Sequence, residues 1–312
     1  MEERFAPRDL VDDDALRLLS RRSDARGLAR LAGHAAVLIA TGAAVWIARG
    51  TFWSIAAVPL YGGALIFLFA PLHETIHRTA FGSRWLNETV AQFAGFVLVL
   101  PPDWFQAFHF AHHRWTQDPA RDPELDPPRP ATRRAWLRHV SGIPYWIAAF
   151  RGLFDRAWGR GGEPFVGPRD ETAVRGEARR FLAQYAAIVV AAAVFDGWAA
   201  LFWLWLLPVL VGQPLLRLYL LAEHAGCAAV PDMLRNTRTT LTTAPVRFVA
   251  WNMPYHAEHH AFPGVPFHAL PRLHDRLAPH LAVVAPGYVA TTIEIYQGVA
   301  APRSQPAHTG DP

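Results

Sequence analysis

The chain has 312 residues, 52% of them hydrophobic and 18% charged, richer in apolar and poorer in charged residues than an ordinary soluble domain. Mean hydropathy is only +0.10, so the apolar residues are concentrated in parts of the chain. All 30 basic residues are arginine and the net charge is +4; because the arginines flank apolar stretches, they favour a membrane surface over nucleic acid. The single cysteine, Cys227, excludes an internal disulfide and a thiolate-held cluster.

Residues 1–27 are charged and lack the apolar core and small-residue cleavage site of a secretory signal; they are expected to be a cytosolic N-terminal segment. Four apolar stretches then approach the roughly 20 residues that a bilayer requires: about Leu28–Ala48, Phe52–Leu72, Phe181–Phe195 and Trp198–Leu221. Arg49, Gly50 and Thr51 join the first two in a tight hairpin, and Asp196-Gly197 is a turn signal between the last two. The third is the shortest. Between the hairpins, Val90–Leu100 is too short to span and ends at Pro101-Pro102, and Ile143–Trp158 mixes Trp and Phe with Arg151, Asp155 and Arg156. Both read as helices lying at the interface. Gly159–Arg169 reads as a loop, and residues 301–312 are polar and expected to be disordered.

Arginine sets the expected orientation. Arg17, Arg21, Arg22, Arg26 and Arg30 precede or open the first span, Arg133, Arg134, Arg138, Arg175, Arg179 and Arg180 fill the middle segment, and the hairpin tips carry only Arg49. The positive-inside rule then places both termini and a cap formed by residues 73–180 and 222–300 in the cytosol. The expected fold is an all-α integral membrane domain over residues 28–300, with four transmembrane helices in two hairpins and a cytosolic helical cap.

Three histidine clusters fall on that cap. His73 and His77 stand in His-Glu-Thr-Ile-His, His109, His112 and His113 in His-Phe-Ala-His-His, and His256, His259 and His260 in His-Ala-Glu-His-His. Positions i, i+3 and i+4 share one helix face, so each cluster is expected to point its imidazoles one way. Eight histidines exceed the four ligands of a tetrahedral zinc site. Two ions at five or six coordination would use eight or nine imidazoles and leave room for water or oxygen, and iron is expected if the chemistry is oxygen activation, since zinc has no redox role. His224, in Ala-Glu-His-Ala-Gly at the end of the fourth span, is the candidate ninth ligand. Ligating histidines usually donate their other N–H to a carboxylate or carbonyl; Asp122 and Glu258 are the carboxylate candidates, with Asn236 and Asn252 as further polar partners. His34, His139, His280 and His308 stand alone and read as structural.

The three boxes, in this order and with this hairpin topology, resemble the membrane fatty acid desaturase superfamily, which carries H-x(3,4)-H, H-x(2,3)-H-H and H/Q-x(2,3)-H-H. The run Phe-Pro-Gly-Val-Pro-Phe-His-Ala-Leu-Pro-Arg-Leu-His after the third box is also typical, and the resemblance covers about Leu28 to His274. It implies a helical membrane fold with a cytosolic cap, two irons held by the box histidines, molecular oxygen as oxidant, and electrons from a separate donor such as a ferredoxin or cytochrome b5. It also implies removal of two hydrogens from a lipid acyl chain to form a C=C bond, in a multi-pass protein expected in a bacterial inner membrane.

The first box here has the shorter spacing, and the third opens with His rather than Gln. Such boxes also occur in carotenoid ketolases and hydroxylases and in sphingolipid desaturases, so a di-iron hydroxylase or ketolase stands as the alternative. A metal-binding or transport protein of another class is disfavoured, because transport ligands usually lie near the bilayer midplane and the spans are almost free of ionisable groups.

Overall fold

The computed structural model describes residues 8–300; the tail at 301–312, with its expected disorder, lies outside them. A short helix, α1 (Asp13–Leu19), is capped by Asp12, whose side chain accepts from the Ala15 N–H at 2.7 Å, satisfying a donor that a helix start leaves unpaired. With Val11 just before it, it buries Ala15 and Leu19 in the main core, so residues 11–19 are packed into the domain. Helix α2 (Asp24–Ala48) starts at Ser23, which accepts from Arg26 N–H.

Gly50, at φ +73°, turns the chain without the steric cost a side chain would meet there. Helices α3 (Ser54–Ile66) and α4 (Phe69–Ile76) follow. Then come α5 (Arg84–Leu98) and α6 (Pro102–Trp115). Val99, in the left-handed region at φ 55°, ends α5. Pro102 opens α6 at a position where its missing N–H costs nothing. The cap continues with α7 (Arg133–Val140) and α8 (Ile143–Ala157). Next are α9 (Glu171–Val194), α10 (Trp198–Leu201), one π turn at Phe202–Leu206, and α11 (Leu207–His224).

The C-terminal part holds α12 (Met233–Asn236), α13 (Ala244–Val249), α14 (His256–Ala261), α15 (Leu270–Leu277) and α16 (Tyr288–Ala300). The described residues are not wholly α. A two-residue parallel pair joins β1 (Thr239–Thr240) to β2 (Val284–Ala285), with Thr239 opposite Val284 and Thr240 opposite Ala285.

Among the described residues, three helical stretches are long and apolar enough to cross a membrane: Asp24–Ala48, Ser54–Ile76 and Trp198–His224. Their exposed large apolar residues include Ile39, Ile47, Ile55, Leu60 and Leu210. The stretch expected as a further span, 181–195, forms the second half of α9. At a rise of about 1.5 Å per residue, its fourteen helical residues are about 21 Å long, short of a roughly 30 Å hydrocarbon core. On α8, Ile143, Ile147, Phe150, Phe154 and Trp158 are all exposed at helical spacing. That unpartnered apolar stripe suits a helix lying at an interface.

The spans meet where α3 crosses α11. A Cβ on Gly62 would lie 2.5 Å from the Pro208 carbonyl oxygen, and one on Gly212 would lie 2.2 Å from the Gly62 oxygen. Two glycines thus let these backbones touch. Beyond the crossing, α3 leads into α4 and His73, and α11 ends at His224, so the helices that pack most closely also deliver candidate ligand histidines to the cap.

Candidate metal centre

All nine candidate histidines converge in the interior of the cap. His73, His77, His109, His113 and His259 form one group, with ligand nitrogens within 4.8 Å of one another. His112, His224 and His260 form a second, and His256 joins it with its Nε2 3.2 Å from His224 Nε2. Eight of the nine are buried, and His77 is half-buried.

The boxes fork between the groups. On α6, His109 and His113 turn to the first and His112 to the second; on α14, His259 turns to the first and His256 and His260 to the second. The expectation of one direction per box holds for His73 and His77 and is corrected for the other two boxes: residues four apart (His109 and His113, His256 and His260) reach the same group, while the residue three from the first (His112, His259) swings to the other. The groups touch where the His113 and His260 rings stack at 4.0 Å and 10°.

The donor set fits metal ions. Nitrogens with acceptor lone pairs face each other at 2.9 Å (His109 and His113 Nε2), 3.2 Å (His113 and His259 Nε2) and 3.2 Å (His112 and His224 Nε2). Two imidazoles on one ion at about 2.1 Å bond length, at right angles or wider, have nitrogens about 3 Å apart. His73 Nδ1 and Nε2, His77 Nε2 and His260 Nε2 are buried with no hydrogen-bond partner, a costly arrangement for protein alone. Burial, reinforced by neighbouring histidines, holds His109, His113, His256, His259 and His260 well below the usual imidazole range, and burial takes His77 down to about 3. Those six rings therefore favour the neutral form, the form that ligates.

Surrounding groups aim several rings. His112 Nδ1 lies 2.9 Å from Asp122 Oδ1, and the Gln117 N–H donates to Asp122 Oδ2 at 2.8 Å. Burial pushes the Asp122 carboxyl up, but the His112 contact and two backbone N–H donors more than offset it and hold it low. The Asn236 backbone carbonyl lies 3.3 Å from His224 Nδ1, while the Asn236 side chain donates to the Thr116 and Val230 carbonyls. Asn252 and Glu258 sit farther out than expected and reach no box histidine. Asn252 donates to the Phe267 carbonyl, and Glu258 takes Thr239 Oγ1 and His274 Nδ1, because helical periodicity turns position 258 away from both 256 and 259.

Four contacts were not singled out from sequence. Glu223 lies 3.4 Å from His256 Nδ1, and Thr116 Oγ1 lies 3.3 Å from His260 Nδ1. Gln117 donates to the His224 carbonyl at 2.7 Å. Glu74 accepts from Thr79 Oγ1 and the Phe267 N–H, tying the end of α4 to the loop after the third box. The available signal is adjacency: Glu74 and Glu223 each sit beside a candidate ligand histidine. His34, read as structural, is structural here, with its ring between the Ala64 carbonyl and Trp251 Nε1.

A cavity of about 270 Å³ reaches the centre. His73, His109, His112 and His256 line it, with Phe69, Phe105 and Phe108 as apolar wall and Arg217, Tyr145 and Glu223 as polar wall. The fatty acid desaturase profile matches residues 44–292. The chain belongs to that family. It is 26% identical to the sphingolipid delta(4)-desaturase of Drosophila melanogaster over 81% of this chain and 75% of that protein. It is 27% identical to the sphingolipid delta(4)-desaturase/C4-monooxygenase of Rattus norvegicus over 73% and 68%, and 30% identical to an sn-1 oleoyl-lipid 12-desaturase of a Picosynechococcus strain over 29% and 28%. As a member of the fatty acid desaturase family with several apolar helices, it is a membrane oxidoreductase of lipid metabolism.

Proposed function

We propose that this desaturase family member inserts a double bond into a lipid chain at a di-iron centre. His73, His77, His109, His113 and His259 would hold one iron and His112, His224, His256 and His260 the other. The sorting of nine histidines, eight of them buried, into groups of five and four carries the reading: it leaves each octahedral ion at least one position for other ligands. When bound, the irons supply activation of molecular oxygen, and the electrons come from a separate donor such as a ferredoxin or cytochrome b5. The chain's residues do the positioning. Asp122 fixes the tautomer and plane of His112, and the Asn236 carbonyl does the same for His224. Phe69, Phe105 and Phe108 keep the neighbouring volume dry and press a methylene toward the histidines. The topology that accompanies this reading has residues 181–195 as a fourth, short span reached by local thinning of the bilayer, both termini in the cytosol and a bacterial inner membrane as location.

The decisive experiment pairs metal content of the detergent-purified protein with lipid profiling of expressing cells. About two irons per chain and a new lipid lighter by two hydrogens are expected. No iron and an unchanged lipid profile would overturn the reading. The monooxygenase activity in the name of the Rattus norvegicus relative favours hydroxylation as a second reading, and a product heavier by one oxygen would select it.

A further inference from the structure

The cavity beside the histidines has two unlike ends, and the polar end is not needed to hold metal. Its centre is Arg217, on α11 almost two helical turns before Glu223. Among the described residues, no carboxylate lies within ion-pairing distance of it. Its guanidinium packs over the Tyr145 ring at 4.6 Å. With the Gln213 amide oxygen turned toward it, Gln213 accepts from Arg217 Nε at 3.0 Å and Nη2 at 3.2 Å. Gln213 is itself buried. The guanidinium plane is thus held from two sides while Arg217 borders the cavity. A guanidinium has five N–H donors, and Gln213 engages two of its nitrogens; the remainder are available to an acceptor in the cavity.

The charge balance narrows the acceptor. Arg129 and Glu124 border the same space and lie 3.6 Å apart, and Glu223 faces the cavity beside His256. Asp126 also lines it, so two guanidiniums face three carboxylates. An anionic head would bring an unbalanced charge into this poorly solvated space, whereas an uncharged head with a carbonyl or hydroxyl oxygen could accept from Arg217. Size narrows the placement. About 270 Å³ lies below the usual range for a whole ligand site, so it holds a head and the first part of a chain. The remainder has a route, because Leu100, Trp104 and Phe108 also line an adjoining groove of about 1040 Å³.

Resting on the desaturase reading, we propose that Arg217, braced by Tyr145 and Gln213, anchors an uncharged oxygen-bearing lipid head, so that the carbons presented to the histidines lie only a few bonds from that head. Positive-inside placement alone would also put an arginine near the end of α11, but it would not make lipid binding depend on the head.

The test loads the purified, metal-replete protein in detergent with stearamide, stearic acid or octadecane and counts retained lipid by mass spectrometry across a concentration series. The three share one chain length and differ in head: neutral, anionic or none. Stearamide is expected to half-saturate at a concentration at least tenfold lower than octadecane and below stearic acid. Arg217→Met should erase that preference, and Arg217→Lys, which keeps a donor, should retain part of it. Equal binding of stearamide and octadecane, tighter binding of stearic acid, or an unchanged preference in Arg217→Met would overturn the anchor. In cells, the wild-type double bond is expected within a few carbons of the head. A mid-chain double bond would overturn the anchor while leaving the desaturase reading intact; two bound irons with no lighter lipid would overturn the desaturase reading, with the binding series still deciding the anchor.

Discussion

Gly212→Ala tests whether the helix crossing sets the metal centre. The new methyl would sit 2.2 Å from the Gly62 carbonyl oxygen, and ordinary contact begins at 3.4 Å. About 1.2 Å of separation must therefore open between α3 and α11, and the obstacle is backbone, which cannot rotate away. Overpacking in a tight core costs about 1–3 kcal/mol, and a backbone obstacle belongs at the upper end. A loss near 3 kcal/mol lowers Tm by about 6 °C or more. The displacement is also carried along both helices to His73 and His224, so bound metal should fall even in protein that remains folded. Gly63→Ala is the control, because its methyl would meet only the end of the Leu215 side chain at 3.3 Å, and it should leave Tm within about 1 °C. The assay is thermal unfolding of both variants in one detergent with metal content measured beside it. A Gly212→Ala protein matching wild type in Tm and metal would refute the argument.

Three further outcomes follow from the geometry. His112→Ala should abolish turnover with the protein still in the membrane fraction; full activity would refute the assignment of the second group. Asp122→Asn should weaken metal retention by about 10–100-fold, read by titrating bound metal against a chelator, since Asp122 is the carboxylate on His112 Nδ1. Glu177 is buried beneath Gln92 and the Asp103 N–H, and burial, assisted by Asp103, pushes its carboxyl up from 4.5 to about 7. The unfolded chain releases this proton near 4.5 while the folded chain keeps it, so stability falls as pH rises from about 4.5 to about 7. The whole effect is about 3 kcal/mol, and Glu177→Gln should flatten that part of the Tm-against-pH profile.

What could be read from the sequence depended on how local its cause is. The Leu28–Ala48 and Trp198–Leu221 stretches are continuous apolar runs, and each lies within a long helix. The box histidines were legible because i, i+3 and i+4 spacing has no packing use for so many imidazoles. Asp122 was legible by proximity to the second box, in a Pro-rich turn that brings the chain back. Glu258 was misplaced farther in than it lies, because nearness in sequence ignores the 100° turn per residue that carries it to His274. The fork of α6 and α14 between two groups needs the neighbouring helices in place, and no single segment encodes it. The β1–β2 pair joins residues 45 apart through two residues each, too short to leave a pattern. The burial of α1 in the domain likewise depends on distant partners for Val11, Ala15 and Leu19.

The fork makes the two halves of the centre mechanically inseparable. Helices α6 and α14 each send ligands to both groups, and the stacked His113 and His260 rings lock the groups edge to edge. On the proposed di-iron reading, an ion settling in either half would fix the rotation of both helices and lower the ordering cost of the other half. Loading of the two halves is then expected to be positively cooperative, with partly loaded protein a minority species in a metal titration.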